Sequence, residues 1–236
     1  MTKNKIVKLL FHKAIPLWIV FLLIFNTSVV VGVAEYYIMK KNFNEYVLQL
    51  AKTTKSPEEL VQILKQEVLP QNGYTLAVTW EDTGQQLLQS GAIDQAKYKE
   101  LFSSDPIALK HMWHLENKSN DQMVIDEGDA RFMVNTLWAL GLVNKSKILE
   151  EGSMKTYGKG DVMTFASTGG WNLGTKPTSQ LYSSTKIINL TPEQEQIVQK
   201  IAQNVYRPCC GNHTEFPDCN HGMAALGYIQ LAVKQG

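Results

Sequence analysis

Between Tyr206 and Met223 the chain reads Tyr-Arg-Pro-Cys-Cys-Gly-Asn-His-Thr-Glu-Phe-Pro-Asp-Cys-Asn-His-Gly-Met. This span holds all three cysteines of the 236 residues and two of the five histidines. Thiols and imidazoles bind soft metals and exchange electrons, so specific chemistry is expected here before anywhere else. Cys209, Cys210 and Cys219 with either His213 or His221 make a ligand set for tetrahedral zinc. Cuprous copper favours the same sulfurs, to which the Met223 thioether adds a softer donor. No Cys-x-x-Cys pair is present, so the spacing matches neither a zinc knuckle nor a ribbon, and the Cys-x-x-Cys-His of covalent haem attachment is missing as well.

Two other chemistries compete for the same atoms. Cys209 and Cys210 are adjacent and pair with each other only through a strained ring. One of them is therefore better placed to bond Cys219, as a staple that pins the loop and leaves one thiol over. The third reading is a redox thiol. Asp218 or Asn220 is a natural N-cap for a final helix, which sets Cys219 at that helix's positive end, where a thiolate is favoured, with His221 as proton partner. No acid–base pair accompanies the thiols, which weighs against an enzyme.

The rest of the chain says where such a site would sit. Lys3, Lys5, Lys8 and Lys13 form a basic flank over residues 1–13, and an uncharged run follows from Ala14 to Ala34. About 20 apolar residues span a bilayer as a helix, so residues 14–39 are expected to form a single transmembrane signal-anchor, with Trp18, Tyr36 and Tyr37 at the interfaces. Gly32-Val33-Ala34 resembles a cleavage site, but the run exceeds a signal-peptide core and the helical pattern continues through Met39. The lysine bias places the N-terminus in the cytoplasm and the C-terminal part outside it. A net charge of +1 gives no electrostatic case for nucleic acid. The expected partners are the membrane and a protein.

Residues 40–55 read as a polar, partly helical stalk. Residues 56–236 read as a mainly helical extracytoplasmic domain with at most a small sheet. Ser56-Pro57-Glu58-Glu59 and Thr191-Pro192-Glu193-Gln194 carry helix-start signals: a hydroxyl N-cap, proline at the first position and a capping-box partner at the third. Asp94 caps a segment through Phe102. A helix from about Asp129 presents Phe132, Met133, Leu137, Trp138, Leu140 and Leu142, and another runs from Met223 to Val233. Tyr74–Trp80 is rich in strand formers.

Weaker candidates lie elsewhere. His111 and His114 share a helix face but lack a third ligand nearby. The stretch from Ser167 to Gly174 reads as tight turns around an inward Trp171, and the acidic run Asp121–Asp129 as helix capping rather than a calcium loop.

Overall fold

The computed structural model describes residues 17–53 and 56–236, with side chains from residue 31 onward. The chain divides into two compact units, one ending at Glu67 and the other running from Val68 to Gly236.

In the first unit one continuous helix, α1 (Leu17–Thr53), takes in most of the apolar run and the whole described part of the stalk. Helix α2 (Pro57–Val68) begins as its cap signal requires: the Ser56 hydroxyl accepts from the Glu59 amide at 3.2 Å. The Tyr46 hydroxyl donates to the Glu67 carboxylate, which ties the two helices together. The basic flank lies outside the described residues, as do the side chains of residues 17–30. Among the described residues no helix is long and apolar enough to cross a membrane.

The second unit is mainly helical around one two-stranded sheet. Strand β1 (Tyr74–Glu81) pairs antiparallel with β2 (Ser119–Ile125), with Tyr74 opposite Ile125 and Thr79 opposite Gln122. Between the strands run α3 (Thr83–Ser90), α4 (Gln95–Leu101) and α5 (Pro106–Glu116). The Asp94 and Asp105 carboxylates cap α4 and α5 by accepting from the second and third amides of each helix. Sequence reasoning missed β2, taking Asp121 as part of a helix start. Asp121 lies on the strand, and Asp126 and Asp129 close a turn in which the Asp126 side chain accepts from the Gly128 and Asp129 amides.

Two helices run through the core. Helix α6 (Ala130–Val143) buries Phe132, Met133, Leu137, Leu140 and Leu142, and packs against α12 (Asn220–Gln235). Glycines let the backbones meet. A Cβ on Gly227 would stand 2.4 Å from the Leu137 carbonyl and 2.7 Å from the Gly141 nitrogen, and one on Gly141 would stand 2.0 Å from the Met223 carbonyl. A buried polar tie locks the register, with Asn144 Nδ2 donating to Gln230 Oε1 at 3.1 Å and Asn144 Oδ1 accepting from the Ile188 amide at 2.8 Å. At the far end of α12 the Gln235 side chain pairs with both backbone groups of Thr79.

Short elements fill the connection: α7 (Lys147–Glu151), α8 (Ser153–Tyr157), a 3-10 turn (Val162–Thr164), α9 (Ala166–Gly169) and α10 (Thr178–Leu181). The glycine-rich stretch is thus partly helical rather than wholly loop. Helix α11 (Pro192–Asn204) starts with the full capping box expected of Thr191 and Gln194. It buries Val198 and Ala202, and ends four residues before Pro208. Residues 205–219 then form the cysteine loop between α11 and α12.

Candidate metal centre

The loop is organised by a residue that no ligand search would select. Arg207 is 5% exposed, and its guanidinium reaches five atoms around it. Nη2 lies 2.8 Å from the Asp218 carboxylate and donates to the carbonyls of Phe216 at 2.7 Å and His213 at 3.3 Å. Nε donates to the Asn212 carbonyl at 3.3 Å, and Nη1 donates to the Cys219 sulfur at 2.8 Å. Burial works against the guanidinium's charge, but the Asp218 carboxylate and the Cys219 sulfur outweigh it and hold the group above its ordinary value. Asn212 Nδ2 donates to the other Asp218 oxygen at 3.1 Å, and Thr214 bonds back to Val205 through both its amide and its hydroxyl.

Cys219 sits where the loop becomes helix. Neither Asp218 nor Asn220 caps α12. Cys219 is itself the N-cap, its sulfur accepting from the Gly222 amide at 3.4 Å. A Cβ at Gly222 would meet Arg207 Nη1 at 2.4 Å, so a side chain there would push the guanidinium aside. The guanidinium lies across the first turn of the helix, where Gly222 carries no side chain. The Cys219 sulfur thus lies between a helix N-terminus and the Arg207 guanidinium.

His221 stands in that first turn, and Cys209 approaches from the tight turn at 208–211. The Cys209 sulfur, the Cys219 sulfur and an imidazole nitrogen of His221 lie within 4.8 Å of one another. Donors around tetrahedral zinc, with bonds near 2.0–2.3 Å, stand roughly 3.6–3.8 Å apart. The group therefore has to contract by at most about 1 Å to close on such an ion. Cys209 is the arm with room to move: it is exposed, and the turn beside it holds Gly211 at φ +71° with open space around its Cα. Its thiol is held above the ordinary cysteine value, first by loss of hydration at the sulfur and then by the neighbouring sulfurs of Cys210 and Cys219. A bound cation would relieve that repulsion.

The other three expected ligands stay outside the group. Cys210 is exposed beside Cys209 and is the nearest further sulfur. His213 lies edge-on to Tyr206 with Nδ1 at 4.0 Å from the Glu215 carboxylate. Met223 is fully buried in the core, so its thioether takes no part.

The glycine-rich stretch adjoins the loop through its backbone, the Ser167 amide donating to the Asp218 carbonyl at 3.0 Å. Trp171 is inward, as its sequence context suggests, donating to the Ala92 carbonyl and packing edge-on against Trp138 at 4.8 Å. His111 and His114 do share a face of α5, with ring centroids 5.9 Å apart. Each ring is engaged elsewhere: His111 Nε2 lies 3.1 Å from the buried Asp129 carboxylate, and His114 stacks on Trp80 at 4.9 Å. Among the described residues the only three-ligand cluster is Cys209, Cys219 and His221.

The chain matches no protein-family model, no curated protein and no solved structure.

Proposed function

We propose that this is a membrane-anchored protein that holds a soft metal ion, zinc or cuprous copper, through Cys209, Cys219 and His221 in a domain outside the cytoplasm. One observation carries the metal reading: two thiols and an imidazole converge within 4.8 Å at the surface, from an exposed turn and a fixed helix end. Two thiolates and an imidazole suit either ion. Zinc would draw a fourth donor from water or Cys210. Cuprous copper is content with three and leaves one net negative charge, which Arg207 beside the Cys219 sulfur offsets. His213 and Met223 are not needed.

The test is native mass spectrometry of the full-length chain in detergent after exposure to Zn2+ or Cu+, each alone, with thiols counted on the same sample. One metal per chain, lost in Cys219→Ser, supports the site. A metal-free chain with an inert disulfide that resists mild reductant overturns it and leaves the alternative, a non-enzymatic binding or scaffolding module stapled by that bond.

The anchor reading is supported by the uncharged run from Ala14 to Ala34 and by the single helix that continues through it to Thr53. Membranes washed with carbonate should retain the chain. A reporter fused after Gly236 should be active only outside the cytoplasm, and activity on the cytoplasmic side refutes the orientation.

A further inference from the structure

We propose that the metal site is under redox control. Cys209 and Cys219 close into a reversible disulfide by exchange with a small-molecule disulfide, and that bond expels the metal. The inference rests on the metal reading above. Outside the cytoplasm disulfides form and persist, so a pair of thiols this close meets an oxidant there.

The two thiols are unlike in a way that assigns their order. Cys209 is exposed on an open turn, and an incoming disulfide reaches it first. Cys219 is half-buried, and its sulfur is held between Arg207 Nη1 at 2.8 Å and the Gly222 amide at 3.4 Å. Donors in those positions keep the sulfur in place beside the Cys209 turn. The sulfurs lie within 4.8 Å and a disulfide needs about 2.0 Å, a gap that movement of the Cys209 turn can cover. Cys210 is the weaker partner for Cys209, because bonding its sequence neighbour strains the ring.

The exchange runs in two steps. The Cys209 thiolate attacks one sulfur of the oxidant, breaking its S–S bond and releasing one thiolate, and a mixed disulfide forms on Cys209. The Cys219 thiolate then attacks the Cys209 sulfur and releases the second thiolate. Two electrons pass from the cysteine pair to the oxidant, whose two halves leave as thiols with the two protons. Of the three ligands only His221 remains, and one imidazole does not hold the ion.

The experiment uses the full-length chain in detergent, reduced, loaded with Zn2+ or Cu+ alone, and titrated with oxidised glutathione. Bound metal, free thiols and the linked peptides are measured at each step. Metal should fall from about one per chain to less than about a tenth as two thiols are lost, and should return when a phosphine reduces the bond. Peptide mapping should find Cys209 joined to Cys219. Metal retained after two thiols are lost overturns the control and spares the site, as does a bond through Cys210. A reduced chain that never takes up metal overturns the site and the control together.

Discussion

Arg207→Lys is the sharpest test of how the cysteine loop is held. The substitution keeps the charge but replaces a planar fork by a single ammonium. The guanidinium makes five contacts between 2.7 and 3.3 Å, to Asp218, Phe216, His213, Asn212 and Cys219. An ammonium has three donors on one atom and a different reach, so at least two of those contacts are lost. Each lost partner belongs to a half-buried residue, at a cost of about 1–1.5 kcal/mol. The loss is therefore about 2–3 kcal/mol, which lowers the melting temperature of a chain this size by roughly 4–12 °C. Thermal unfolding followed by circular dichroism reads this directly. The Cys219 sulfur also loses its nearest donor, so metal affinity should fall by roughly tenfold or more. An Arg207→Lys chain that melts within about 2 °C of the unaltered one would show that the loop is organised by something other than the guanidinium.

Gly227→Ala places a methyl 2.4 Å from one backbone atom of α6 and 2.7 Å from another; it should cost about 1–3 kcal/mol in denaturant unfolding, and an unchanged midpoint contradicts the close crossing. Asn144→Ala strands the Ile188 amide and frees Gln230, for a loss of about 2–3 kcal/mol by the same assay. Stability should also fall in mild acid. Burial, then the charge of His111, hold His114 below its ordinary value of 6.5 against the opposing pull of Asp121, so the unfolded chain takes up its proton first. The midpoint in urea should drop as pH passes downward through about 6.5, and a His114→Gln chain should show a shallower drop.

What was legible in the sequence were the features that neighbouring residues settle. Ser56, Asp94 and Thr191 announce their helices because a cap is a bond to an amide two or three residues away. Strand β2 was not legible. Its residues Ser-Asn-Asp-Gln are polar, and only pairing with a strand some forty residues earlier makes them a sheet. Arg207 was overlooked because it is no metal ligand, and its role exists only once the loop has closed around it. Met223 was open to a better reading. Two residues apart on a helix means about 200° around its axis, so Met223 cannot share a face with His221. One of the two had to point into the core.

The cluster has a fixed half and an open half, and the division follows from packing. Cys219 and His221 belong to the start of α12, whose position is set by glycine-to-glycine contact with α6 and by the Asn144–Gln230 bond. Cys209 belongs to a turn with open space around Gly211. In a structural zinc site every donor is enclosed and the metal itself supplies folding energy, so the ion cannot leave without unfolding its surroundings. Here Arg207 gathers Asn212, His213, Phe216, Asp218 and Cys219 around one guanidinium. A disulfide across the short loop from Cys209 to Cys219 would contribute about 3 kcal/mol by chain entropy, no more than the guanidinium supplies already. A loop gathered by the guanidinium would leave its thiols free to take up and release either one. That freedom is what a site for exchange requires and what a permanent staple gives up.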